Sequence, residues 1–414
     1  MSDLYWPGDE RAGSLMTQEA LLDAMVAVEE AWLAVLVGSG VAPAAAKADL
    51  AGLVTGADVD QVATAAEGGG NPVIPLLALL RDRVRPVNDD AARWLHRGLT
   101  SQDVVDTAMV LCARAVLDRL EQELVAQVAT LADLANTHRG SVMVGRTLTQ
   151  HAVPITFGLK ASGWLTGVLD AGDAVRSARS ALAVQAGGAA GTLAAVTELA
   201  RAGGRSDPSG VAVATVGSLA TGLGLETRMP WHTSRGAVTR IGDTLVSCTD
   251  AWGRIAGDVT MLARPEIGEL GEPAVAGRGG SSTMPQKQNP VLAVLVRRAA
   301  IAAPGLGATI HTASALAVDE RPDGAWHVEW ATLRTLSRYA VVAAAQTSEL
   351  LAGLRVDTDR MRARLAADAQ ALLAERRSIA GPDADPDPRT YLGVTDAIVD
   401  AAWTRAATYL EGRS

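Results

Sequence analysis

The sequence predicts an all-α protein built around five long helices. Only 3% of its 414 residues are aromatic, Phe157 is the single phenylalanine, and alanine, leucine and valine dominate a chain that is 48% hydrophobic. That composition favours helices over sheets. Apolar residues then recur over stretches far longer than a strand. Breaks rich in glycine and proline, at 67–75 and 381–388, separate helical segments. The chain is long enough for a large core and for two or three domains.

In order, 17–38 reads as an amphipathic helix with Thr17 as its cap. Val41-Ala42-Pro43 ends it, and a second helical segment follows. The break Glu67-Gly68-Gly69-Gly70-Asn71-Pro72-Val73-Ile74-Pro75 fits an interhelix turn. Thr100 and Ser101 stand directly before the first long helix, which runs to about 136. This helix is apolar on most faces (Val104, Val105, Ala108, Met109, Leu111), which implies burial in a bundle or a subunit interface. The second long helix is expected over about 155–183 and the third over about 233–262. The fourth opens at Val291, with Asn289 as cap and Pro290 in its first turn. The fifth runs to about 354. A linker of polyproline character at 381–388 leads to a last helix at 394–410. Residues 299–318 carry no formal charge, which is span length. Pro304, Gly305, Gly307 and His311 make a buried bundle helix the better reading.

Several function classes drop out. Net charge is −9 without a basic tract, so nucleic acid and anionic membrane are poor partners. Cys112 and Cys248 lie in apolar helical patterns and read as buried thiols, which fits a reducing cytoplasm. The six histidines show no metal-ligand spacing. Residues 1–10 have neither a basic start nor an apolar core, so no signal peptide is expected.

The stretch Gly279-Gly280-Ser281-Ser282-Thr283-Met284-Pro285-Gln286-Lys287-Gln288-Asn289-Pro290 carries the chemistry. Two glycines give a movable backbone, two serines give hydroxyls, and the loop ends at a helix N-terminus that favours an anion. Lys287 adds a full charge in a chain whose only other lysines are Lys47 and Lys160. These parts suit a catalytic lid. An ordinary surface loop before a helix has the same composition. Thr100 and Ser101 form a second candidate anion site at a helix start, where capping alone would also explain them.

The string resembles the GSSxMPxKxNP signature of the fumarase/aspartase superfamily, matching all eight specified positions. Further elements follow in family order. Residues 96–103 (HRGLTSQD) resemble HxGxTSxD, and 145–154 (GRTLTQHAVP) resemble GRTHxQxAxP with Leu148 in place of the histidine. Three more resemble the 3-carboxy-cis,cis-muconate cycloisomerase branch: GNPVIP at 70–75, QAGGAAGTL at 185–193, and PWHT at 230–233. The segment 320–330 resembles that branch's ERxxGxWxxEW. The resemblance implies a small N-terminal helical domain (1–98), a central bundle of five long helices (99–355) and an abbreviated C-terminal helical domain (356–414). It also implies a homotetramer whose active sites each draw on three subunits. It makes Ser282 the base, Lys287 and Asn289 anion ligands, and Thr100–Ser101 the grip on a substrate carboxylate. Asn71, Thr147, Gln150, Ser281 and Arg321 are the further substrate-binding candidates. His151 joins Ser282 and Lys287 as a catalytic candidate, although a lone histidine also fits a satisfied core position. No metal or organic cofactor is implied.

The chemistry of such a site can be argued from its residues. Removing a proton alpha to a carboxylate makes a dianion, so donors must strengthen as charge develops. Lys287, Asn289, Thr100 and Ser101 are suitable, and Arg321 can hold another carboxylate bidentately. Ser282 needs loop amides and Lys287 to stabilise its alkoxide. Expelling hydroxide or an amine requires a general acid, whereas a carboxylate, whose conjugate acid has a pKa near ~4, leaves unaided. An apolar Leu148 at the family's acid position therefore suits a cycloisomerase that closes 3-carboxy-cis,cis-muconate, a tricarboxylate, in the beta-ketoadipate pathway of aromatic degradation. The alternatives are a carbon–nitrogen lyase on a succinate- or aspartate-type adduct, nitro or nucleotide-linked, and a non-catalytic structural homologue.

Overall fold

The computed structural model describes residues 3–412 apart from Ala274 and Pro285. Among these residues there are fourteen α-helices and four short strands. Two compact units emerge: Met1–Asp118, Arg176–Asp243 and Gly305–Arg338 form unit 1, and Arg119–Val175, Thr244–Pro304 and Tyr339–Ser414 form unit 2. The five long helices are α5 (Ser101–Thr137), α6 (Phe157–Ser180), α9 (Gly236–Leu262), α10 (Val291–Ala315) and α11 (Gly324–Ala352). Each division between the units falls inside one of them. The shorter helices are α1 (Gln18–Gly38), α2 (Val59–Ala66), α3 (Val73–Val84), α4 (Asp89–Trp94), α7 (Ala194–Ala202), α8 (Pro208–Leu223), α12 (Thr358–Leu372), α13 (Ala374–Ala380) and α14 (Thr395–Glu411).

In unit 1, Thr17 caps α1 as expected, its hydroxyl accepting from the Ala20 N–H at 3.2 Å. The helix buries Met25, Val28, Trp32, Leu33 and Leu36, each worth roughly 1.5–3 kcal/mol when removed from water. Its Glu29 is also fully buried. The Trp32 indole donates to the Arg97 carbonyl at 2.8 Å, which fixes the segment leading into α5. Helix α3 buries Val73, Leu76, Leu77 and Leu80.

Unit 2 contains a departure from the expected all-helical path. Strands β1 (Val142–Thr147) and β2 (Gln150–Thr156) pair antiparallel, with a bulge between Val144 and Arg146. The alternation of Val142 and Val144, and of Val153 and Ile155, is a strand pattern. Leu148 and Thr149 form the two-residue turn, with φ of 48° and 71°. Positive φ at both central positions is the geometry that matches hairpin twist, and neither residue is a glycine or asparagine. A β-branched threonine held there is strained. Helix α12 packs under the hairpin, and Val142, Val144, Leu365 and Leu372 share one apolar cluster. Two further strands, β3 (Leu270–Gly271) and β4 (Arg355–Val356), pair antiparallel.

Both cysteines are free and buried, and burial pushes each thiol up to about 12. Helix α10 corrects an expectation. It is long and apolar enough to cross a membrane by length and composition, yet only 33% of its most apolar window is buried within this chain. Val294 and Ile301 stand exposed, and Pro304 lies inside the helix. A buried bundle helix is therefore not achieved by one chain alone.

Candidate active site

The signature loop belongs to unit 2, and its neck is closed by its own backbone. The Gly279 carbonyl accepts from both the backbone N–H of Asn289 (2.8 Å) and its Nδ2 (2.9 Å). The Gln288 side chain donates to the Arg278 carbonyl at 3.1 Å. Gly279 has φ 77°, and a Cβ there would lie 2.5 Å from Gln288 Nε2. Only glycine permits this approach. The two serines are treated differently. Ser281 Oγ accepts from the N–H groups of Thr283 (3.4 Å) and Met284 (3.2 Å), a local turn. Ser282 and Lys287 are exposed and have no side-chain partner among the described residues.

Helix α10 does not offer its N-terminus as an open anion site, and Asn289 does not cap it. Glu272 occupies that N-terminus and caps it, accepting from the N–H groups of Leu292 (3.0 Å) and Ala293 (2.6 Å). Burial pushes this carboxyl up, and the two N–H groups oppose the shift. Asn289 is instead spent on the loop neck. Lys287 is thus the loop's remaining positive group.

Thr147, Gln150 and His151 share the exposed end of the β1–β2 hairpin, with Leu148 at its tip and 96% exposed. The hairpin is anchored by Arg146, which forks onto the fully buried Glu269 at 3.0 and 2.8 Å. His151 Nδ1 lies 2.7 Å from Asp368 Oδ2 on α12. Gln150 donates to the Thr149 hydroxyl at 3.3 Å. Leu148–Thr149 is thus the hairpin turn, and His151 lies on β2 opposite Arg146.

In unit 1, Thr100 and Ser101 open α5, and among the described residues neither hydroxyl has a protein partner. The Thr100 N–H donates to Asp103 three residues on, at 2.9 Å, half of a capping box. His96 enters this segment with φ 67°, its Nδ1 at 2.6 Å from buried Glu29. Asn71 is buried and committed to its own turn, donating to Gly69 and accepting from Val73 N–H. His327 Nε2 reaches the Gly70 carbonyl at 2.8 Å and ties that turn to α11. Arg321 is exposed just before α11. Within each unit, no hydrogen bond among the described residues links Asn71 or Arg321 to Thr100–Ser101, or the hairpin to the signature loop. No cluster of three or more His, Cys, Asp or Glu suited to a metal occurs among them either.

A family model described as lyase matches residues 58–305. Nitrosuccinate lyase of Streptomyces davaonensis is 43% identical over 363 residues, 87% of this chain and 76% of that protein. This chain belongs to the fumarase/aspartase superfamily. Two further superfamily relatives agree. The 3-carboxy-cis,cis-muconate cycloisomerase of Bradyrhizobium diazoefficiens is 39% identical over 374 residues, 89% of this chain and 78% of that one. The crystal structure of 3-carboxy-cis,cis-muconate lactonizing enzyme from Pseudomonas putida matches with TM-score 0.84 at 29% identity, covering 96% of each chain. The resemblance carried by the motifs and the all-α class both hold, and the chain is an enzyme of this superfamily.

Sequence reasoning missed the carboxylates that support these superfamily elements. Glu29 sits among Val26, Val28, Trp32 and Leu33 on a buried face, a signal readable as a charge inside an apolar stripe. Glu272, Glu269 and Asp368 carry no such mark, because their partners lie 20 or more residues away.

Proposed function

We propose that this superfamily enzyme closes 3-carboxy-cis,cis-muconate to 4-carboxymuconolactone, in the beta-ketoadipate route of aromatic degradation. One substrate carboxylate oxygen bonds to an alkene carbon, and the displaced π pair places charge on the carbon alpha to another carboxylate. Ser282 supplies the proton that this carbon takes up, so the net change is an isomerisation. Thr100, Ser101 and Lys287 hold the substrate carboxylates, Arg321, Thr147 and Gln150 complete the binding set, and Asn289 closes the neck of the loop. Ser281 and Asn71 shape their own turns. No group needs to protonate a leaving oxygen, since in the reverse direction a carboxylate departs. The observation behind this reading is Leu148, an apolar residue at the tip of the hairpin where the superfamily's acid histidine would stand, which favours a leaving group that needs no proton. The 39% identity to a named cycloisomerase supports it.

A second reading has its own support in the 43% identity to nitrosuccinate lyase. Nitrite, like carboxylate, leaves without a proton, so Leu148 suits it equally. Incubating the purified enzyme with each substrate separates the two: loss of the muconate diene supports the first, nitrite release the second. Turnover of neither removes both.

The reading includes a cytoplasmic homotetramer with shared sites. Exposed Val294 and Ile301 on α10 and Leu148 on the hairpin are apolar surface that further copies of the chain would cover. Light scattering in dilute neutral buffer should give four chains per particle, and an active monomer would refute the shared site.

Two variants test the absent acid. Leu148→His should not accelerate lactone formation, and His151→Phe should keep substantial turnover, because lactone closure asks no group to protonate a leaving oxygen. A fall of about 10³-fold in kcat for His151→Phe, with helix content intact, would make it a general acid and overturn the leaving-group argument.

A further inference from the structure

The segments 96–103, 185–193, 230–235 and 319–330 are distant in sequence, and the proposed function uses only parts of the first and last. In unit 1 the first three converge on one carboxylate. Asp103 is fully buried. Its Oδ1 accepts from Gln185 Nε2 (3.1 Å), Gly187 N–H (3.0 Å) and His232 Nε2 (2.8 Å). Its Oδ2 accepts from the N–H groups of Thr100 (2.9 Å) and Gly188 (2.9 Å). Five donors exceed the roughly four lone-pair positions of a carboxylate, so its accepting capacity is fully used.

The donors are themselves held. Gln185 Oε1 accepts from Trp231 N–H at 2.7 Å, and the Gln185 backbone pairs with Thr107 Oγ1 through both its N–H and its C=O. The His232 carbonyl accepts from Gln102 Nε2 at 2.8 Å. Against a carboxylate acceptor His232 Nε2 carries the hydrogen. Gly188, at φ 71°, passes so close that a Cβ would lie 3.1 Å from the Gly98 carbonyl. His96 and Leu193, both non-glycine, also have positive φ here. Strain of this kind persists only where surrounding contacts over-determine the backbone. Asp103 has every accepting position used, and losing one donor leaves a buried charge short of partners.

We propose that Asp103 and His232 are positioning residues for the reaction: together they set where the Thr100 and Ser101 hydroxyls stand, and so how firmly the site grips a substrate carboxylate as charge develops on it. This rests on the assignment of Thr100–Ser101 as that grip. A displacement of about 1 Å in such a group costs on the order of 10²-fold in rate.

The test uses the full-length enzyme and whichever of the two substrates above it turns over. His232→Phe should lower kcat by about 10²-fold with a smaller change in KM. His232→Gln, which keeps an N–H to donate to Asp103, should recover most of that loss. Trp252→Phe is the control. It removes a buried 2.7 Å bond to Gln127 in unit 2 and should lower the melting temperature while keeping kcat. If His232→Phe melts lower yet keeps kcat as the control does, the pair is structural only and the proposal falls. Should His232→Phe fail to fold, Asp103→Asn, unchanged in shape, carries the same expectation of lost kcat. Calorimetric titration with tricarballylate, an unreactive tricarboxylate, separates the proposal from the reaction it rests on. A wild type that turns over neither substrate but binds tricarballylate, with binding lost in Asp103→Asn, sustains the positioning role and discards the reaction. A wild type that neither reacts nor binds overturns the proposal.

Discussion

Ser282→Ala should lower kcat by at least about 10²-fold while helix content and assembly stay unchanged. The side chain is exposed and uses no hydrogen bond within the described chain, so its loss costs the fold nothing. Ser281→Ala should behave differently. Its hydroxyl closes a turn by accepting from Thr283 and Met284 N–H groups, and its removal should loosen the loop and cost rate by a much smaller factor. Steady-state kinetics of the two variants, side by side, give the comparison. Near-normal turnover of Ser282→Ala removes that serine from the mechanism, and equal losses would mean that the pair acts through loop shape instead.

Arg235→Leu should destabilise the folded chain by about 3–5 kcal/mol, because it strips the partner from two buried carboxylates. Arg235 is 2% exposed. Its guanidinium meets Asp106 at 2.7 and 3.0 Å, meets Glu329 at 3.0 Å through Nε, and lies 4.9 Å above the Trp231 ring. Trp326 Nε1 also donates to Asp106 at 2.9 Å. Burial works against the arginine's charge, but Asp106 and Glu329 outweigh it and hold its pKa above the ordinary value. Burial pushes the Glu329 carboxyl up, with Arg235 pulling it down. Without the arginine the upward push is unopposed. A carboxyl whose folded pKa exceeds its unfolded value contributes stability in the protonated form. That contribution is present below the unfolded pKa and lost as pH rises through the folded one. The destabilisation relative to wild type should therefore be smaller at pH 5 than at pH 8. Urea midpoints at the two pH values measure it, and an equal deficit at both would show that the carboxylates are not what the arginine compensates.

The long helices were legible because their signal is local and repeated. α5, α6, α9, α10 and α11 each carry an apolar pattern over 24 or more residues, and Thr17 marks the start of α1 in the way a helix start is usually marked. The β1–β2 hairpin was not read, since its turn, Leu148-Thr149, lacks the glycine or asparagine that announces such a turn. The strands' alternation spans only a few residues. The cap of α10 was misread for a different reason. Asn289 and Pro290 are good local choices, but Glu272, twenty residues upstream, reaches the same N–H groups as a full charge, and the tertiary contact wins. For the candidate site, the signature loop and its exposed Ser282 and Lys287, the residues proposed to act, were readable from the string. The reason for Asp103, His232 and Gln185 was not, because it exists only where three distant segments meet. Asn71 shows the opposite limit: its motif was visible, yet both ends of its amide serve its own turn.

In the proposed reaction the enzyme forms a carbon–oxygen bond within its substrate while placing one proton on the carbon alpha to a carboxylate. NMR of 3-carboxy-cis,cis-muconate incubated with the enzyme in D2O tests both halves at once. The expected product is 4-carboxymuconolactone carrying a single deuterium at that alpha carbon, with none from Ser282→Ala on the same time scale. Muconate recovered unchanged, from a preparation that releases nitrite from nitrosuccinate, would contradict it.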